Sequence, residues 1–117
     1  MNAHLEKLLE IQDLKSQQRE LQAATGEMEE ELFNVDIDSA LDALGQKIGE
    51  MEESLEPRVR NRYRRTSQRH PRSVVPVIGG TCYGCFVSVP TALASDADRN
   101  EEIRVCDSCG RFLYLID

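Results

Sequence analysis

Four cysteines, the only ones in the chain, stand as two pairs: Cys82-Tyr83-Gly84-Cys85 and Cys106-Asp107-Ser108-Cys109, with 20 residues between Cys85 and Cys106. No other feature constrains the fold as tightly. A CxxC segment bends as a tight knuckle and offers two thiolates to one side. A linker of this length lets a strand pair bring two knuckles together around one ion. Thiolate sulfur in a tetrahedral set selects zinc over the hard cations, with iron the chemical alternative. The competing reading is two disulfides in a secreted protein. Against it, Met1-Asn2-Ala3-His4-Leu5-Glu6-Lys7 is polar and runs into a charged helix with no signal-peptide pattern. Reduced thiols are the rule in the cytoplasm, which is the location expected here. A thioredoxin-like redox motif would need one CxxC in a βαβ setting, and no such pattern surrounds either pair. Zinc held by Cys82, Cys85, Cys106 and Cys109 is therefore the expectation.

The flanking segments predict the type of module. Val74 to Ile78 reads as a strand, and Gly79-Gly80 turns the chain into the first knuckle. Phe86 to Val89 is expected to leave that knuckle as a strand stopped by Pro90. Ile103 to Val105 enters the second knuckle and Phe112 to Ile116 leaves it. Gly110 supplies the backbone freedom that a knuckle turn requires. Strands on both sides of each knuckle, with no helix after the second, predict a β zinc ribbon.

Helical periodicity dominates the first half. Leu14, Leu21, Met28 and Val35 fall seven apart, with Leu5, Leu8 and Ile11 extending the stripe toward the start. A helix from Leu5 to Phe33 would be about 43 Å long, with Gly26 tolerated inside it at about 1 kcal/mol. Asn34 to Ser39 suits a turn, and Asp38 or Ser39 suits an N-cap. Leu41, Leu44, Ile48, Met51, Leu55, Val59 and Tyr63 then step by three or four, predicting a second helix kinked at Pro57. Two such helices joined by a short turn fold back as an antiparallel hairpin. The expected fold is thus α+β: an antiparallel helical hairpin, or coiled coil, over residues 1–70, followed by a small zinc ribbon over 71–117. No run of 18 apolar residues exists to span a membrane. The coiled-coil seam also offers a surface for homo-oligomers.

Charge is laid out in blocks. Residues 1–56 carry a balance of −11, residues 57–73 one of +7 with seven arginines and no acids, and residues 74–117 one of −3. Arg58, Arg62, Arg65 and Arg69 are spaced to share one helix face. They either pair with Glu6, Glu10 and Asp13 at the start of the first helix, or form a phosphate-binding surface for nucleic acid. The net charge of −7 opposes strong non-specific binding to duplex DNA. Catalysis has little support. Four cysteines close the tetrahedron of a zinc site, and His4 and His70 have no evident nucleophile partner.

From Pro57 to Asp117 the chain resembles the four-cysteine zinc-ribbon family of bacterial proteins in which a helical coiled coil precedes a C-terminal ribbon. The matching residues are Pro57, Tyr63, Val74 to Val77, Gly79-Gly80, Cys82, Gly84-Cys85, Pro90, Cys106, Cys109-Gly110-Arg111 and Leu113-Tyr114. The helical region here is shorter than is usual in the family, and Phe86 stands where a histidine is common. The resemblance implies a non-enzymatic adaptor or regulator whose partner is a sigma factor, RNA polymerase, a motility or secretion component, or RNA. A second resemblance is architectural. DksA-like regulators of RNA polymerase also join an acidic-tipped helical hairpin to a four-cysteine zinc module. In that alternative Asp36 and Asp38, at the expected hairpin tip, would act in the polymerase secondary channel.

Overall fold

The computed structural model describes residues 1–25, 31–90 and 100–116. Three helices, α1 (Ala3–Thr25), α2 (Glu31–Glu53) and α3 (Pro57–Arg69), precede four strands: β1 (Val74–Ile78), β2 (Thr81–Cys82), β3 (Arg104–Val105) and β4 (Phe112–Ile116). The chain is therefore α+β, a helical assembly set against one small sheet. Its longest dimension is 55 Å.

Asn2 starts α1, its Oδ1 accepting from the backbone N–H groups of His4 at 2.8 Å and Leu5 at 3.3 Å. These bonds satisfy two donors that the first helical turn leaves without partners. α1 and α2 then run antiparallel. The Lys7 ammonium donates to the Ser54 carbonyl at 3.3 Å, and Leu5, Leu8 and Ile11 share a core with Ile48 and Leu55. The packed hairpin follows from the two apolar stripes, as expected.

Its expected boundaries need correction. α1 ends at Thr25 and α2 already begins at Glu31, so Phe33 and all of Asn34–Ser39 belong to α2. Asp36 and Asp38 stand exposed on that helix, either side of the buried Ile37. Ile37 carries the stripe of Leu41, Leu44 and Ile48 one turn further back, and that periodicity overrides the turn preference of Asn, Asp and Ser. Neither Asp38 nor Ser39 is an N-cap. The acidic tip required by the DksA-like alternative is thus absent from residues 34–39. The reading of Gly26 and the seam position Met28 lie outside the described residues.

Pro57 does not kink a continuous helix. α2 stops at Glu53, and Pro57 occupies the first turn of α3. Its missing N–H is harmless there, and its fixed φ suits a helix start. Val59, Tyr63 and Thr66 form the buried face of α3, and the Lys15 ammonium lies 4.7 Å from the centre of the Tyr63 ring.

The strand order is β2-β1-β4-β3. β1 and β4 form a parallel centre, with Val74 opposite Phe112 and Val75 opposite Leu113, while β2 and β3 flank them antiparallel. Strand alternation sends successive side chains to opposite faces. Val74 and Phe112 join Leu5, Leu8, Ile11, Val59 and Tyr63 on the helical face. Val75, Val77 and Leu113 pack around Cys82 and Cys106 on the other. The boundary expected at residue 70 falls between α3 and β1, yet the helical core crosses it. Gln12 makes the crossing explicit: its Oε1 accepts from the Val74 N–H at 2.9 Å, and its Nε2 donates to the Val74 carbonyl at 3.0 Å. The expected strand over Phe86–Val89 is reduced to one bridge between Thr81 and Ser88. Among the described residues, no helix is long and apolar enough to cross a membrane.

Candidate metal centre and arginine face

Each knuckle is closed by the same backbone bond. The Phe86 N–H donates to the Cys82 carbonyl at 2.7 Å, and the Gly110 N–H donates to the Cys106 carbonyl at 2.8 Å. Cys82 leaves β2, and Cys106 follows β3, so the two hairpins of the sheet aim both knuckles at one point. The four Sγ atoms lie within 4.8 Å of one another. Cys82 and Cys109 are 3.9 Å apart at sulfur, and Cys85 and Cys106 are 3.7 Å apart. A zinc ion with Zn–S bonds of about 2.3 Å requires sulfur–sulfur edges of about 3.8 Å. The set fits a tetrahedral zinc site with all four positions taken by thiolate.

The four thiols differ in their surroundings. Burial pushes the Cys82 thiol up, and pushes Cys109 up to about 12, whereas the Val87 N–H draws Cys85 down to about 7. Burial thus disfavours the thiolate form at Cys82 and Cys109. A cation held by the four sulfurs would favour the thiolates, and its binding would release protons. The Gly84 N–H, 3.4 Å from Cys82 Sγ, adds a polar contact to one ligand.

The arginines of α3 separate into two groups. Arg60 and Arg64 pair with Glu53 at the end of α2, at 3.3 and 3.1 Å. Arg58, Arg62, Arg65 and Arg69 make no ion pair or side-chain hydrogen bond among the described residues, and Glu6, Glu10 and Asp13 receive no arginine there. The expected pairing of these four arginines with the start of α1 is therefore not found among the described residues, and the ion pairs of α3 are those of Arg60 and Arg64 with Glu53. Helix geometry gives the reason. Around the 100° step of the helix, Arg60 and Arg64 fall on one side of the buried Val59–Tyr63–Thr66 face, toward α2, and the other four fall on the opposite side.

That opposite side borders the sheet. Arg58, Arg62 and Arg65, with Glu56 at one end of α3, wall a groove of about 560 Å³ whose lining includes Val59, Ile103 and Phe112. A second groove of about 230 Å³ is lined by Arg62, Arg65, Arg69, His70, Cys109 and Gly110. The arginine face thus runs along α3 to the second zinc knuckle. Asp36 and Asp38 lie on α2 and line neither groove. His70 receives Arg111, whose Nη2 lies 2.8 Å from its Nδ1. His4 stands 4.0 Å from a Glu56 carboxylate oxygen. Arg111 and Gln12 escaped the sequence reading as structural ties. Arg111 was visible only as part of the Cys-Gly-Arg ending, and Gln12 carries no local signal.

Comparison with known proteins agrees with this geometry. Residues 81–113 match the family model described as C4-type zinc ribbon domain. The solved structure of the HP0958 protein from Helicobacter pylori is similar, with a TM-score of 0.63 and 25% sequence identity. The match covers 88% of this chain and 45% of that one, so the likeness includes the helices as well as the ribbon. The present chain spans less than half the length of that protein. No curated protein matches this sequence.

Proposed function

We propose that this protein is a non-enzymatic zinc-ribbon adaptor or regulator that binds RNA through the α3 arginine face. The observation that carries the reading is that Arg58, Arg62, Arg65 and Arg69 make no ion pair among the described residues, whereas Arg60 and Arg64 pair with Glu53. Four guanidinium groups aligned along adjoining grooves, with Glu56 the one acidic residue lining them, suit phosphates spaced along a strand. The acidic balance of residues 1–56, at −11, favours a short local contact over wrapping by a duplex. The zinc acts structurally, since four thiolates leave no position for a reacting water. Zinc and the helical core together hold the sheet and α3 as one support for the grooves. Transcription-related protein partners, as the resemblance implies, complete the adaptor reading.

The test is a salt titration of binding to a short oligouridylate. Affinity should fall steeply with salt, and Arg62→Ala or Arg65→Ala should each reduce the slope by about 0.7. Arg60→Ala should leave the slope close to that of the parent. Binding that ignores salt, or no binding at low salt, overturns the RNA reading.

A further inference from the structure

The two zinc knuckles follow the same backbone course with different residues at one position. The residue after the second cysteine has a left-handed φ in both: 78° at Gly110 and 62° at Phe86. Glycine adopts that conformation freely, whereas a residue with a Cβ is strained there. Burial does not compensate at Phe86, whose side chain is 70% exposed. Its ring lies against that of Tyr83, with centroids 5.5 Å apart and planes inclined at 50°. Tyr83 is itself 43% exposed. The fold therefore holds two aromatic rings at the surface, one of them on strained backbone, where the second knuckle manages with glycine.

A cationic side chain reaches into this knuckle. Arg111 lies across Gly84, between the two rings in sequence, so closely that a Cβ on Gly84 would meet the Arg111 Cδ at 2.8 Å and collide with its guanidinium. The same guanidinium reaches His70, which adjoins Arg69 at the end of the arginine face. Cys82 to Val89 contains no acidic residue, and Asp107 of the second knuckle lines a cavity with Val87 to Pro90, the segment that follows Phe86. The rings thus continue the α3 face through His70 and Arg111. Charge complementarity selects a polyanion, and the exposed π faces select one that also carries planar groups.

We propose that the first zinc knuckle is a base-stacking platform. Tyr83 and Phe86 take bases of a single-stranded RNA whose phosphates follow Arg69, Arg65, Arg62 and Arg58. This rests on the reading of α3 as an RNA-binding face, and adds to it where the bases go. Arg111 acts as a positioning residue, filling the space over Gly84 and linking platform to groove. Stacking on aromatic rings tolerates any base, so the recognition expected is of single strands and not of one sequence.

The experiment compares a labelled oligouridylate with an abasic oligonucleotide of equal length and charge, using the full-length zinc-loaded protein. The parent should bind the oligouridylate about ten-fold tighter for each base stacked. Phe86→Gly and Tyr83→Ala should each shrink that preference while leaving the salt slope unchanged, and Phe86→Tyr should retain it. Phe86→Gly should also raise the Tm, since glycine relieves the left-handed strain. Equal affinity of the parent for both oligonucleotides, with the arginine variants still reducing the slope, overturns the platform and leaves the groove standing. A parent that binds neither oligonucleotide overturns both. A lower Tm for Phe86→Gly would assign the ring to the fold, also against the platform.

Discussion

The two faces of the small sheet are held by different physics, although β1 and β4 make both. Toward the helices, nine buried residues from α1, α2, the segment before α3, α3 and the two central strands form one apolar cluster. Toward the metal, the buried cluster has five members, two of them zinc ligands. Burial of three valine or leucine side chains supplies only a few kcal/mol, at about 1.5–3 kcal/mol each. The metal face therefore depends on ligation and the helical face on packing. The comparison teaches that the two are coupled: Val74 and Val75 are neighbours in one strand, so a loss on one face displaces a residue of the other.

The largest effect expected is from removing the metal. Chelation, or Cys106→Ser, should remove on the order of 10 kcal/mol from the ribbon. Because Val74 and Phe112 leave the helical core when the sheet melts, the far-UV circular dichroism midpoint of the helices should fall as well. A helical melting curve that is identical with and without zinc would break the coupling and make the two faces independent.

Next in size are truncations on the helical face. Phe112→Ala should cost about 3–5 kcal/mol and Leu8→Ala about 2–5 kcal/mol in urea unfolding of the zinc-loaded protein. They should differ in their reach. Phe112 is bonded through its backbone to Ser73 at 2.8 Å and pairs with Val74, so its loss should also weaken zinc retention against a competing chelator. Leu8→Ala should leave zinc retention nearer to that of the parent. Equal loss of zinc in both variants would show that the helical core acts as one block on the metal face.

The smallest effects sharpen the division within α3. Arg60→Ala and Arg64→Ala should each destabilise by about 0–1 kcal/mol, as exposed pairs with Glu53 would. Arg62→Ala and Arg65→Ala should leave stability unchanged or slightly higher, because removing one of several like charges relieves repulsion. A loss of stability at Arg62 or Arg65 equal to that at Arg60 would remove the distinction between structural and ligand-facing arginines.

Much of this was legible in the residues. Two CxxC pairs define a four-thiolate site wherever the chain can bring them together, because ligand chemistry and knuckle geometry are local. Val74–Ile78 and Phe112–Ile116 announced themselves as strands by β-branched and aromatic runs. The apolar stripe from Leu41 onward and the shared face of Arg58, Arg62, Arg65 and Arg69 follow from the helical period alone. Local preference failed where a competing pattern was stronger. Asn34 to Ser39 has turn chemistry, but Ile37 belongs to the buried stripe, and the helix runs through. Pro57 breaks a helix as readily as it begins one, and the preceding Ser54-Leu55-Glu56 segment settles it as a beginning.

What the sequence determined by itself is therefore the set of parts: a four-cysteine zinc site, short strands around it, apolar helical stripes and one arginine face. The tertiary structure decided how the parts meet. It set β1 parallel to β4 and gave Glu53 to Arg60 and Arg64. It also turned Gln12 into the partner of Val74, 62 residues away, and laid Arg111 across Gly84. The physical reason is range. Ligand spacing, helical period and strand alternation are written within a few residues of each other. A hydrogen bond or ion pair between distant elements exists only after the chain has folded, and leaves no periodic trace beforehand.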